Sequence, residues 1–294
     1  MLVINMAVNL EQEASFSFDQ MDADVIIPEV TQRQLAWDDF KESLLKWRVW
    51  LLLAYQDIKL RYRRSILGPF WITINMALTV YSMGYLYGHL FHMPIKEYFP
   101  YLVTGMLAWS LLSTTLSDLV DTYANMEIML KQIKLPYTLY IHRIIAKNII
   151  IFLHNLLVIV PIVIFFPEAE KIDWHSLLLI PGIFIIYVNA LCYGIILAMI
   201  GARYRDIPQI IKSFINIIFF ITPIMWKLDV LPPNKQFIVL LNPFYSFVEL
   251  IRAPLVGYTP SLLNIVMISI ATLIGMIISY FLFTARRARI IYWL

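Results

Sequence analysis

Of 294 residues, 60% are hydrophobic and only 15% are charged, whereas soluble domains run nearer half apolar and a quarter charged. That balance, with a mean hydropathy of +0.72, excludes a soluble globular chain and points to an integral membrane protein. The net charge of +3 informs only through its distribution, and the single cysteine, Cys192, excludes an intrachain disulfide and most cysteine metal sites.

Residues 1–35 read as a mobile extension. The first thirty are acidic, have no helical period, and lack the apolar core and cleavage site of a secretory signal. Residues 36–65 predict an amphipathic helix in the cytosolic membrane interface. Asp39 and Glu42 have capping-box spacing. Phe40, Leu44, Trp47, Leu51, Tyr55, Ile58 and Tyr62 then recur at three- and four-residue steps, with Lys41, Glu42, Lys46 and Arg48 off that stripe. A helix packed on a soluble partner is the alternative.

The cationic run Arg61-Tyr62-Arg63-Arg64 ends that helix, directly before a long apolar segment. Arginine at the bilayer centre is costly, so this junction marks where the chain leaves the cytosol. Residues 66–294 predict an all-α domain of six spans. A helix of about 20 residues crosses the roughly 30 Å hydrocarbon core. The stretches 67–90, 101–119, 144–166, 177–200 and 262–284 meet that length, and 210–226, with Pro223 near its end, is a shorter span broken at its outer end. All but five of the 23 lysines and arginines then fall on one side, the exceptions being Lys96, Lys171, Lys227, Lys235 and Arg252. The positive-inside rule places both termini in the cytosol.

Tyr81 and Tyr85 share a face of the first span. Tyr98, Tyr101 and Trp109 flank Gly105 in the second. Aromatic rings can pack on the C–H faces of sugars, so Tyr81, Tyr85 and Trp109 are candidate channel-lining residues, while Tyr98 and Tyr101 suit the interfacial aromatic belt. Gly84 and Gly88 have the spacing of close helix packing. His89 and His92 lack the carboxylate or cysteine a metal site would need, and His154 suits a hydrogen bond to a neighbouring helix.

Two cytosolic connections are candidate docking elements, or plain solvated links. Residues 125–135 predict a short amphipathic helix stopped by Pro136, and 201–209 a compact polar turn. The outer segment 227–261 holds Asn242 and Pro243 as N-cap and first helical residue, with Pro254 and Gly257 at the exit. Glu249 and Arg252 make it too polar to span, so a short helix or a re-entrant pair is expected.

No phosphate-cradling Gly-x-x-x-x-Gly-Lys occurs, none of the nine glycines precedes a lysine, and no Gly-x-Ser-x-Gly elbow is present. Ion-coupled carriers keep carboxylates inside their spans. The six spans here contain none in their interior, with Asp118 and Asp121 at the cytosolic end of the second. A transporter of this kind would draw its energy from elsewhere, and an external ATPase is the natural source.

Several motifs then occur in a fixed order: Asp57-Ile58-Lys59-Leu60-Arg61-Tyr62-Arg63-Arg64-Ser65-Ile66-Leu67-Gly68-Pro69-Phe70-Trp71, Lys134-Leu135-Pro136, Arg203-Tyr204-Arg205-Asp206-Ile207, Thr222-Pro223-Ile224 and Leu241-Asn242-Pro243. From about residue 36 onward this order resembles the ABC-2-type permeases that export polysaccharides, with O-antigen permeases the nearest type. Residues 1–30 match nothing in that pattern. The resemblance implies a homodimer in the bacterial inner membrane, paired with two copies of a separate ATPase that binds ATP and Mg. The chain itself would then be no enzyme and hold no cofactor or metal. The cargo would be an undecaprenyl-pyrophosphate-linked O-antigen, capsule or teichoic acid. Under that resemblance Arg61, Arg63 and Arg64 attract the pyrophosphate, or serve only as topological anchors. Met126, Glu127, Lys131 and Lys134, with Arg205 and Asp206, would couple to the ATPase or gate the cytosolic mouth. Asn242, Pro243, Phe244, Glu249 and Arg252 would belong to an outer gate. Two other readings are an ABC-2 drug or lipid exporter and a membrane-embedded glycan or lipid transferase. The transferase would need clustered carboxylates or histidines that are not evident.

Overall fold

A computed structural model of the chain describes residues 31–90, 92–165 and 174–294, all of whose regular structure is helical. The mobile extension expected for 1–35 therefore lies, as far as residue 30, outside the described residues.

The predicted interface helix is two helices, α1 (Gln32–Leu45) and α2 (Trp47–Arg61), broken at Lys46. The capping box expected at Asp39 and Glu42 is instead Thr31 and Gln34. Thr31 Oγ1 accepts from the Gln34 N–H, and the Gln34 side chain accepts from the Thr31 N–H at 2.9 Å. Glu42 pairs with Lys46 one turn on, at 2.5 Å. The predicted stripe also splits. Ile58 is buried and Phe40 half-buried, whereas Leu44, Trp47, Leu51 and Tyr55 stay exposed. The face packed on the protein is one of small and polar residues: Ala36, Asp39, Ser43 and Ala54. The exposed aromatic and aliphatic face suits a bilayer surface, which rewards burial of apolar area.

A turn with Arg64 (φ 68°) and Gly68 (φ 56°) leads into α3 (Phe70–Leu90). Gly84 and Gly88, both buried, let the next helix approach: the Phe99 ring lies where a Gly84 Cβ would be crowded, and Tyr98 borders Gly88. That next helix, α4 (Ile95–Val120), is the most enclosed and starts six residues before the predicted span. After it come two short helices, α5 (Thr122–Asn125) and α6 (Glu127–Gln132), separated at Met126. The single helix expected over 125–135 is thus shorter. It ends at Gln132 with Ile133 extended, and Pro136 begins the following helix rather than stopping this one.

The third long segment runs from α7 (Tyr137–Asn155) through a 3-10 turn into α8 (Ile159–Phe165). A 3-10 turn, Trp174–Leu178, leads into α9 (Leu179–Arg203). Next is α10 (Ile207–Ile221), which stops at an extended Thr222, so the break expected near Pro223 is present. Two single 3-10 turns precede α11 (Gln236–Leu240) and α12 (Pro243–Val256), which form a pair bent by 86°. That is the geometry of a broken span or of a re-entrant loop, and the expected re-entrant pair is one of these two. The chain then runs through α13 (Leu262–Arg286), a 3-10 turn and α14 (Ile290–Trp293).

Four helical segments are long and apolar enough to cross a bilayer: Ile95–Val120, Tyr137–Phe165, Trp174–Arg203 and Leu262–Trp293. The bent pair raises the number to five if it is one span. At 21 residues α3 is about 31 Å long, but its tyrosines, glycines and Asn75 dilute its apolar character. With 15 residues α10 reaches only about 22 Å. The core has two parts. One gathers Tyr98, Leu102, Leu107, Trp109, Ile218 and Ile251 around the first half of α4, and the other gathers Leu119, Tyr123, Ile141, Ile195, Met199 and Phe283 around its end.

Candidate functional site

Polar side chains concentrate at the two ends of α4, separated by about 20 residues and therefore about 30 Å. At its first end Arg252 is completely buried. Its Nη1 donates to Glu249 Oε1 at 2.8 Å, one helical turn back, and its Nη2 donates to the Pro223 carbonyl at 2.9 Å. The guanidinium lies 3.9 Å from the Tyr101 ring centroid, a cation–π contact out of water. Gly105 makes room for it, because any Cβ there would collide with the guanidinium. The second Glu249 oxygen accepts from the Tyr258 hydroxyl at 2.9 Å. Burial first, and then the Glu249 carboxylate, push the Tyr258 phenol well up from its ordinary value, so it remains a donor.

The same end of α4 holds the backbone that follows α10. Tyr98 donates to the Met225 carbonyl at 2.7 Å, and Tyr101 donates to the Pro223 and Trp226 carbonyls at 2.9 and 3.0 Å. These tyrosines do not form the interfacial belt expected of them, because Tyr98 is fully buried and both serve the prolyl turn. Asn242 caps α12 as expected. Its Oδ1 accepts from the Phe244 N–H, Pro243 is the first helical residue, and its Nδ2 donates to Thr222 Oγ1 at 3.0 Å. Gly257 closes α12 at φ 95°, a left-handed position suited to glycine. The Thr222-Pro223-Ile224 and Leu241-Asn242-Pro243 motifs thus meet in one network.

The far end of α4 carries four acid–base clamps. Asp39, buried within α1, accepts from the Tyr137 and Thr138 N–H groups at 2.9 and 3.0 Å and from the Thr138 hydroxyl at 2.7 Å. It is the cap that α7 lacks locally, since Pro136 precedes that helix without a side-chain bond. Arg287, just after α13, donates Nε and Nη2 to the same carboxylate at 3.0 and 2.9 Å. Arg143 makes a two-point contact with Asp57, with Nε to Oδ2 at 2.8 Å and Nη2 to Oδ1 at 2.5 Å. Asp118 pairs with Lys147 at 2.7 Å and Asp121 with Lys212 at 2.6 Å.

The expected site residues fall into separate places. Arg61, Arg63 and Arg64 are exposed at the end of α2, and none of them forms an ion pair among the described residues. Tyr81 donates to the Val158 carbonyl and stacks on Phe99, Tyr85 is exposed beside His89, and Trp109 lies in the core against Phe219 and Phe244. Met126 Sδ lies 3.2 Å from Arg143 Nη1. Glu127 and Lys131 pair at 2.6 Å on the exposed face of α6, and Lys134, Arg205 and Asp206 are exposed. Asn242, Pro243, Glu249 and Arg252 are brought together, while Phe244 turns towards Trp109. The His154 ring bonds within its own helix, to the Ile150 carbonyl, and the link to another helix is made by the His154 carbonyl, which accepts from the Thr73 hydroxyl of α3 at 3.0 Å. Among the described residues no cluster of three or more metal-ligating side chains occurs.

Sequence reasoning missed Asp39, Asp57, Arg143 and Arg287 as partners. They lie 86 to 248 residues apart in the chain, and no local spacing announces such pairs. The Glu249–Arg252 pair, three residues apart, was readable as one helical turn.

Comparison with known proteins locates this architecture. The chain is 24% identical over 206 residues to an O-antigen export system permease protein, RfbA, of Klebsiella pneumoniae, covering 67% of this chain and 76% of the relative. An RfbA of Myxococcus xanthus is 23% identical over 203 residues, 68% and 77% of the two chains. The polysialic acid transport protein KpsM of Escherichia coli is 21% identical over 238 residues, 80% and 92%. The family described as ABC-2 type transporter matches residues 48–256, from the first turn of α2 to the last residue of α12, and so takes in the Arg252 cluster and every clamp at the far end of α4 except Asp39–Arg287. By that match the chain belongs to the ABC-2 type transporter family.

Proposed function

We propose that the chain is the permease subunit of an ABC exporter that moves a lipid-linked polysaccharide, O-antigen by preference, across the bacterial inner membrane. The observation that carries this reading is its likeness to O-antigen export permeases over two thirds of its length. Two copies of the chain, each with six spans and both termini in the cytosol, would pair with two copies of a separate subunit that binds ATP and Mg and hydrolyses the nucleotide. The asymmetry of lysine and arginine favours that orientation.

The clamps give the reading a mechanical basis. Asp121–Lys212 ties α4 to α10 at one end, and Tyr98 and Tyr101 grip the backbone after α10 at the other, so α4 and α10 move as one body. Asp57–Arg143 fastens the interface helix α2 to α7 beside Met126. A thrust on α6 or on the 201–209 turn, by way of Glu127, Lys131, Lys134, Arg205 and Asp206, then reaches the outer helices near Asn242, Pro243, Phe244, Glu249 and Arg252. Tyr81 and Tyr85 would face the sugar path between two copies, whereas Trp109, expected there as well, is enclosed in the core. Arg61, Arg63 and Arg64, exposed and without an ion pair among the described residues, would attract the pyrophosphate by charge-assisted contacts. The KpsM likeness favours a second reading, capsule export by the same parts.

Deletion of the gene should abolish the long surface glycan and trap lipid-linked polymer in the cytosol. Undiminished surface polymer, with no internal build-up, would reject export. The chemistry of the trapped lipid carrier separates the O-antigen and capsule readings. In the same strain, a copy carrying Arg61→Gln and Arg64→Gln should insert normally yet export several-fold less, and unchanged export would remove the pyrophosphate role.

A further inference from the structure

Arg143 lies near the start of α7, only 8% exposed, between α2 and the junction of α5 with α6. Its contacts on the two sides differ in kind. Towards α2 it makes the two-point contact with Asp57, a pair of charge-assisted bonds that fixes direction as well as distance. Ala54 and Ile58, flanking Asp57, are buried, so this stretch of α2 is held to the protein. Arg61 follows Asp57 by one helical turn, and the start of the cation run therefore moves with that carboxylate. Towards α6 the remaining nitrogen, Nη1, lies 3.2 Å from Met126 Sδ and 3.9 Å from Met129 Sδ. Thioether sulfur is a weak acceptor on a flexible side chain, so this contact resists compression but tolerates sliding. About that contact α6 is two-sided. Met126, at its N-cap, Met129 and the buried Leu130 pack inwards, while Ile128 and the Glu127–Lys131 pair are exposed on the outside.

We propose that Arg143 is a positioning residue for transport: it carries displacement of α6 to α2, so that the cation run Arg61-Tyr62-Arg63-Arg64 shifts when α6 is pressed from its exposed side. The inference rests on the reading of α6 as an ATPase-facing helix and goes beyond it by naming the joint and the element that the joint drives. Directional bonds on the α2 side and soft sulfur contacts on the α6 side make the joint transmit a push rather than a pull. Coupling between two positions is reciprocal, so an anion held at the cation run would in turn favour one position of α6. One turn further along α7, Lys147 pairs with Asp118 and ties α7 to α4 instead.

The test uses the full-length chain assembled with its ATPase in sealed vesicles. A reporter cysteine replaces the exposed Leu60 (Leu60→Cys, with Cys192→Ser), and its labelling by a maleimide is timed without nucleotide and with ATP plus vanadate. The labelling rate should change several-fold with nucleotide. Asp57→Asn, or Met126→Ala combined with Met129→Ala, should abolish that change and lower the polymer exported per ATP hydrolysed several-fold. Both cut one path, so all three substitutions together should cost little more than either set alone. Lys147→Gln, which breaks the neighbouring ion pair, should preserve the response to nucleotide. A reporter indifferent to nucleotide in a complex that exports, or a response to nucleotide that survives Asp57→Asn, would overturn the joint and leave the export reading standing. Absence of ATP-driven export by the unaltered complex would overturn the export reading, and the joint with it. The reporter comparison leaves the joint itself intact and so survives a folding defect in any variant of it.

Discussion

Arg252→Leu is expected to destabilise the protein by about 3–5 kcal/mol, the usual consequence of removing one partner from a buried ion pair. The side chain is fully buried, and its loss leaves Glu249 with only the Tyr258 hydroxyl, the Pro223 carbonyl with only the Tyr101 hydroxyl, and the Tyr101 ring with only Lys227, 5.9 Å from its centroid. Gly105, which has no side chain, does not fill the space that the guanidinium vacates. The result should be a large fall in midpoint when detergent-solubilised protein is heated, with export lost in cells. Glu249→Leu together with Arg252→Leu should recover much of the loss, because a pair replaced by apolar side chains no longer leaves a buried charge uncompensated. A single variant as stable as the unaltered chain would show that the cluster is not a structural lock. Tyr101→Phe should cost far less, about 1 kcal/mol, since the ring survives and only its hydroxyl contacts go.

Asp39→Ala should be nearly as damaging, by about 3 kcal/mol or more, summing a lost helix cap and a broken partly buried ion pair. One carboxylate there serves three separate parts of the chain: its own helix α1, the start of α7, and Arg287 after α13. Asp39→Asn keeps an oxygen for the cap but gives up the charge that Arg287 needs, so it should fall between the two. A double-mutant cycle with Arg287→Ala separates the contributions: Asp39→Asn and Arg287→Ala should be strongly non-additive, whereas Asp39→Ala should retain a cost in the Arg287→Ala background equal to the cap. Additivity throughout would mean that the carboxylate and the guanidinium do not act on each other.

What the sequence made legible was what repeats locally. Apolar length located the four strongest spans, and the prolyl and glycyl signals at Asn242, Pro243 and Gly257 placed α12 to the residue. The order of motifs pointed to the family. Local signals misled where a distant partner competed for the residue. Asp39 has the look of an N-cap for its own helix, yet caps α7, 98 residues away. Tyr98 and Tyr101 have the look of interfacial tyrosines, yet hold the Pro223–Trp226 backbone. The aliphatic and aromatic stripe expected to face the membrane interface stays largely exposed, while Ala54 and Ile58 of α2 meet the protein. The candidate arginines 61, 63 and 64 could be located but not assigned partners, as each projects from the end of α2.

The most direct test of the account is reconstitution of the purified chain in sealed vesicles, alone and with its ATPase, followed by measurement of lipid-linked polymer accumulated across the membrane. Accumulation only when both subunits and ATP are present is the result expected of a conduit without an energy source of its own. Uphill movement by the chain alone, driven by a proton or sodium gradient, would contradict it.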